Sequence, residues 1–443
     1  MSLQEYAQSN WQAAYRQKCG TAAEVVRHIP NNSRVAIGHA AGEPLTLVEA
    51  MVANFRQYEQ VETIHMFPLG GCGYMEPGME PHFRHNGLFL GGAARDAVAD
   101  GRADYTPSFF FEIPQLFKNG TLPVDVALVH VSPPDQHGYC SLGVSVDYTR
   151  SITDTANILI AQVNDRMPVT YGDTFVHVSQ MDYIVEDSRP LVEIPLPKMG
   201  DAEHQIGAYC ASLIEDGATL QLGIGALPDA VATFLKDKND LGLHTEMFSD
   251  GVLDLLANGN INNRKKGLHE GVSIANFLMG TRRLYDYVHQ NPAVQLYPAD
   301  YVNHPMTIAK NNRMICINSA IQVDLMGQVV AETMGYRQFS GTGGQVDFVR
   351  GAALSPGGKS IIAFSATAAK GKVSRIVPLL DEGAAVTTSR NDVHYVVTEY
   401  GIAQLKGKNL EDRARALISI AHPDFRDQLA EAAKKRFPRF NLS

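Results

Sequence analysis

Short runs of apolar and β-branched residues alternate with helical patterns through most of this 443-residue chain. That alternation constrains the fold more than any other feature. A repeat of strand, helix and strand builds a parallel sheet layered by helices, an α/β protein. Strands are expected at Arg34–Ile37, 124–131, 157–163, 218–222 and 241–247, and again at 360–364, 375–379, 384–388 and Tyr395–Thr398. Several are apolar throughout instead of alternating, as strands covered on both faces must be. Helices are expected at 45–55, 202–214, 229–235, 250–256 and across 410–440.

Two stretches open alike. Val35-Ala-Ile-Gly-His-Ala-Ala-Gly-Glu-Pro44 leads into one helical pattern, and Leu220-Gln-Leu-Gly-Ile-Gly-Ala-Leu-Pro228 into another. Each is a strand, a glycine-containing turn and a proline near the first helical turn, where its missing N–H is not needed. The repetition suggests two related open α/β domains. A proline-punctuated crossing at 185–201 separates them, giving domains at 1–190 and 200–443.

Composition narrows the function classes. The net charge of -9, without a long Lys/Arg block, argues against non-specific nucleic-acid binding. The N-terminus lacks the basic and apolar regions of a signal peptide, and apolar runs such as Asn157-Ile-Leu-Ile160 are too short to span a bilayer. Five scattered cysteines with no CxxC argue against structural zinc and fit free thiols in a reducing compartment, so the cytoplasm is the expected location.

Four stretches are candidates for chemistry. In Leu222-Gly-Ile-Gly-Ala-Leu-Pro228, glycines between strand and helix suit either a plain tight turn or a loop presenting backbone N–H groups to a ligand. It is not the dinucleotide fingerprint, whose last glycine is replaced by Pro228. Glu246, in Gly242-Leu-His-Thr-Glu-Met-Phe-Ser-Asp-Gly251, falls near the C-terminal end of an expected strand, the edge where open α/β sheets bind ligands. Position alone leaves it a base, a metal ligand, a nucleophile or a structural carboxylate. Gly341-Thr-Gly-Gly344 concentrates backbone N–H groups of the kind that stabilise charge on a carbonyl oxygen. Ser355-Pro-Gly-Gly-Lys-Ser360 imitates a P-loop, but the first glycine is missing and a strand follows where a helix is required. His130, Asp135, His137 and Cys140 match no zinc spacing, and Pro133-Pro134 breaks any helix that would align them, so no metal is expected.

As a set, Ser132-Pro-Pro-Asp-Gln-His-Gly-Tyr-Cys-Ser-Leu-Gly143, Gly223-Ile-Gly-Ala-Leu-Pro228, His244-Thr-Glu-Met-Phe-Ser-Asp-Gly251, Gly341-Thr-Gly-Gly-Gln-Val-Asp-Phe-Val-Arg-Gly351 and Thr398-Glu-Tyr-Gly401 resemble the acetyl-CoA hydrolase/transferase family. Within that family the chain is similar to the 4-hydroxybutyrate and butyryl-CoA:acetate CoA-transferases, from about Tyr15 to Phe437.

The resemblance implies two α/β domains of the CoA-transferase type with the active site between them. It implies that Glu246 is the catalytic glutamate and that Gly344 contributes to an oxyanion hole. Gly223, Ile224, Gly225, Ala226 and Leu227 would form the coenzyme A loop, with Ile321, Gly344, Lys370 and Asn391 as further CoA contacts. CoA and acyl-CoA would be substrates, alongside a small carboxylate, and no cofactor would be permanently bound. Self-association is common in such enzymes. A thioester hydrolase on the same scaffold uses the same motifs; a non-catalytic CoA-binding protein, or an isomerase on a related fold, would leave Glu246 structural. Residues 70–79 and 106–111 are expected to face the acid, with Phe109, Phe110 and Phe111 as either pocket wall or core strand.

Overall fold

The computed structural model describes residues 11–195, 197–223 and 225–441. The chain divides into two compact units, Met1–Pro195 with Ile274–Val302, and Leu196–Ser273 with Asn303–Ser443. It therefore changes unit three times. The excursion 274–302 returns to the first unit, which a single crossing at 185–201 does not provide for.

In the first unit, strands β1 (Arg34–Ile37), β2 (Val61–His65), β3 (Phe83–Gly87), β4 (Ala103–Tyr105), β5 (Val126–Val131), β6 (Ile158–Val163) and β7 (Tyr183–Glu186) form one sheet. All its pairings are parallel, in the order β7-β6-β5-β1-β2-β3-β4. Every residue of β5 is buried, which explains why it is apolar at all positions but His130. Helix α1 (Leu45–Ala53) buries Leu47, Val48 and Met51 in a core shared with Val35, Ile37, Phe83 and Leu128. Phe109, Phe110 and Phe111 are not a strand; a 3-10 turn spans Phe110–Glu112. Phe110 is fully buried beside His39 and Phe277, while Phe109 and Phe111 stack on each other.

The second unit has a six-stranded sheet. Its strands are β8 (Thr219–Gln221), β9 (Gly242–Leu243), β10 (Met314–Asn318), β11 (Lys359–Ala363), β12 (Tyr395–Thr398) and β13 (Gly401–Gln404), ordered β9-β8-β10-β11-β12-β13. Only β13 is antiparallel, folding back from β12 through a tight turn. Helices α2 (Asp201–Ser212), α3 (Ala226–Thr233), α4 (Gln345–Leu354), α5 (Leu410–Ser419) and α6 (Pro423–Arg436) belong to this unit. Phe348 and Val349 of α4 join Cys316, Ile362, Val396 and Leu417 in its core.

Three strand expectations are corrected. The segment 241–247 is two short strands, β9 and Met247–Phe248, with His244, Thr245 and Glu246 between them. The segment 375–379 shrinks to Ile376–Val377, ended by Pro378, which has no N–H to donate to a ladder. The segment 384–388 is irregular; Thr387 and Thr388 donate their N–H groups to the Val329 carbonyl. The helices expected across 410–440 are two, Leu410–Ser419 and Pro423–Arg436, with Pro423 starting the second.

The two similar openings occupy equivalent places. In the first sheet the chain winds outward in both directions from β1 and β5, and in the second from β8 and β10. Each opening leaves the first strand of its sheet at that reversal, where open α/β sheets bind ligands outside their carboxyl ends.

Candidate active site

The loop after β8 runs through Leu222 and Gly223 to Gly225, which caps α3. Gly225 has φ of 117°, a backbone conformation closed to most side chains. Among the described residues, its chain neighbours aside, no atom lies within 4 Å of where its side chain would start. Ala226 and Leu227 open α3, and Pro228 sits in its first turn. Ile224 lies outside the described residues. Gly223, Gly225, Ala226 and Leu227 thus form a strand-to-helix turn at the positive end of α3, a geometry that accepts anionic groups.

Three residues past β9 stands Glu246. Its chain segment is fastened to the glycine turn. His244 donates its backbone N–H to the Leu220 carbonyl at 3.0 Å, and the Thr245 hydroxyl lies 3.0 Å from the carbonyls of Leu222 and Met247. Below them, buried Lys266 donates to the carbonyls of Leu243 at 3.0 Å and Val272 at 2.7 Å. Burial pushes its ammonium down to about 7.

The Glu246 carboxylate meets two groups from distant parts of the unit. The Asn303 amide donates through Nδ2 to Glu246 Oε2 at 2.8 Å. The same nitrogen lies 3.2 Å from Asp347 Oδ2. Asn303 and Asp347 are both fully buried. The second neighbour is Gly344, the residue that caps α4. A Cβ on Gly344 would stand 1.8 Å from Glu246 Oε2 and 2.3 Å from Asn303 Nδ2. Only a bare Cα fits there. The carboxylate consequently rests at the start of a ten-residue helix, whose positive end favours an anion.

Asp229 on α3 is pushed up to about 6 by burial and by the nearby charge of Asp250. The Gly341-Thr-Gly-Gly344 segment is anchored at its start, where Phe339 and Ser340 donate backbone N–H groups to the Glu332 carbonyl.

Glu246, Gly344 and the glycine turn are thus brought into one unit, with Glu246 touching Gly344. The remaining expected CoA contacts sit on other features. Ile321 follows the C-terminal end of β10, its carbonyl accepting from Arg375 Nε at 3.0 Å. Lys370 is exposed, with φ of 58°, in the turn joining Thr367–Ala368 and Val373–Ser374. Asn391 is exposed on the turn leading into the N-terminal end of β12, the opposite end from that after which Ile321 and Lys370 follow β10 and β11. Lys359, the imitation P-loop lysine, starts β11 and is bound to the Glu215 carboxylate at 2.9 Å and the Leu213 carbonyl at 2.8 Å. Sequence reasoning missed Asn303 and the role of Asp347. Asn303 lies in Tyr301-Val-Asn-His-Pro305, which reads only as the start of a short helix.

Each unit is built on an open α/β sheet, and in the second a carboxylate lies past a strand's C-terminal end between an amide donor and a helix N-terminus. A solved 4-hydroxybutyrate CoA-transferase from Porphyromonas gingivalis superposes with a TM-score of 0.84 at 43% identity, covering 97% of this chain and 100% of that one. The acetyl-CoA hydrolase/transferase N-terminal domain family matches residues 3–195, and its C-terminal domain family residues 280–433. The chain belongs to the acetyl-CoA hydrolase/transferase family. It is 61% identical to the 4-hydroxybutyrate coenzyme A transferase of Clostridium kluyveri, over 96% of this chain and all of that one. It is 37% identical to the butyryl-CoA:acetate CoA-transferase of Anaerostipes caccae, over 95% and 97% of the two chains.

Proposed function

We propose that Glu246 is the nucleophile of a CoA-transferase that moves CoA between short-chain carboxylic acids, 4-hydroxybutyrate or butyrate on one side and acetate on the other. The observation that carries this reading is the Glu246 carboxylate held by Asn303 at 2.8 Å against the bare Cα of Gly344. The enzyme transfers CoA, as its similarity to named CoA-transferases along almost the entire chain supports.

The arrangement supports the following chemistry. Glu246 attacks the acyl carbonyl of the acyl-CoA; the C–S bond breaks, and a mixed anhydride and CoA thiolate result. The thiolate attacks the glutamyl carbonyl, expelling the first acid as its carboxylate and leaving a glutamyl-CoA thioester. A second carboxylate attacks that thioester, releasing the thiolate and forming a new anhydride. Attack of the thiolate on its acyl carbon yields the new acyl-CoA and regenerates the Glu246 carboxylate. Covalent catalysis of this kind gives ping-pong kinetics, and the thioester energy is conserved, so no ATP is needed. The Asn303 amide donates to whichever glutamyl oxygen carries developing charge. The glycine turn at 223–227 receives CoA. The free cysteines, four of them buried, are consistent with a cytoplasmic enzyme. Among the described residues no helix is long and apolar enough to cross a membrane.

Transfer and hydrolysis share the glutamyl intermediates and differ in what attacks them. The deciding experiment measures CoA turnover from 4-hydroxybutyryl-CoA and butyryl-CoA with and without acetate. A transferase forms acetyl-CoA and stalls without the acceptor. Release of free CoA at an undiminished rate in its absence marks a hydrolase.

A further inference from the structure

Asp347 is a buried carboxylate with no place in the reaction just described. It belongs to the first turn of α4 and is 1% exposed. Its Oδ2 lies 3.2 Å from the same Asn303 nitrogen that lies 2.8 Å from Glu246 Oε2. A side-chain amide has two N–H bonds on one nitrogen and none on its oxygen. With one carboxylate at each N–H, only one orientation of the Asn303 amide satisfies both. The flipped orientation would turn its oxygen toward two anions.

We infer that Asp347 is a positioning residue that holds the Asn303 amide in its donating orientation throughout the catalytic cycle. The inference rests on Glu246 being the nucleophile. In the resting enzyme the Glu246 carboxylate itself attracts the Asn303 N–H. Once Glu246 is an anhydride or a thioester its negative charge is gone, and its hold on the amide weakens. Asp347 is not consumed, so its acceptor oxygen stays beside the amide through every covalent state. It keeps an N–H aimed at the glutamyl carbonyl at the stage when charge develops on that oxygen. The buried setting strengthens this hold, because a hydrogen bond is electrostatically stronger away from water.

The test is a double-mutant cycle built from Asp347→Asn and Asn303→Ala, read by rapid quench of the glutamyl-CoA adduct after mixing with acyl-CoA. Asp347→Asn keeps the shape and removes the charge. The adduct should form about tenfold to a hundredfold more slowly, the loss typical of residues that orient a reacting group, with KM for acyl-CoA little changed. In the Asn303→Ala background the same substitution should have little further effect, because the group it orients is gone. A purely structural role would give additive losses and a lowered melting temperature. Wild-type adduct on Glu246 together with an unchanged rate in Asp347→Asn, or with additive losses, overturns the inference alone. Absence of wild-type adduct overturns the nucleophile reading as well.

Discussion

Gly344 presents its bare Cα to the Glu246 carboxylate, and a methyl group there would lie 1.8 Å from Oε2. This one contact couples two motifs that are far apart in sequence, the strand-end glutamate and the glycine cluster. It explains why the cluster ends in glycine although φ at Gly344 is -91°, a value any residue adopts. The requirement is one of space and not of backbone conformation.

Gly344→Ala should therefore fold and yet fail. The added methyl must displace the Glu246 side chain or the Asn303 amide. A displacement approaching 1 Å at a reacting group costs on the order of a hundredfold in rate. Steady-state kinetics should show kcat reduced by at least about that factor, with circular dichroism unchanged.

Asn303→Ala removes a donor to the nucleophile. Loss of a single preorganised donor typically costs about 10²–10³ in kcat. We expect that range, with KM for acyl-CoA nearly unchanged, because the donor acts on charge that develops after binding. Asn303→Asp should be at least as damaging, since it sets a third carboxylate between Glu246 and Asp347.

Asp229 supplies a pH signature. Its carboxyl is raised from the ordinary 3.8 to about 6 in the folded protein. Below about pH 4 both the folded and unfolded states hold the proton, and the group has no effect on stability. Between there and pH 6 the unfolded chain loses its proton first, so stability falls as pH rises, and the penalty is complete above pH 6. Asp229→Asn should raise the melting temperature at pH 7–8, and the gain should vanish near pH 4. A gain that is independent of pH would contradict the assignment.

Parts of this architecture were legible because their causes are local. The strand at Val126–Val131 is apolar at every position but His130 and buried at every position. The turn at 222–228 announces itself through its glycines and Pro228. Glu246 was legible as a strand-end carboxylate, but the strand is shorter than its pattern, because Thr245 turns its hydroxyl to the Leu222 carbonyl and the ladder ends at Leu243. Met314–Asn318, an inner strand of the second sheet, was not legible as one; four apolar residues followed by an asparagine do not distinguish strand from buried helix. Asn303 was illegible for another reason. Its partner Glu246 lies 57 residues away, and only tertiary folding joins them. Asp347 reads locally as an ordinary acidic residue in a helix's first turn, which conceals its burial beside Asn303.

The central claim is that Glu246 carries the reaction covalently. Its most direct test is to incubate the enzyme with acyl-CoA without an acceptor acid, reduce with borohydride, and map the product by peptide mass spectrometry. Conversion of Glu246 alone to the reduced alcohol, absent from Glu246→Ala, is the expected result. Modification at another residue, or full transferase activity in Glu246→Ala, would contradict it.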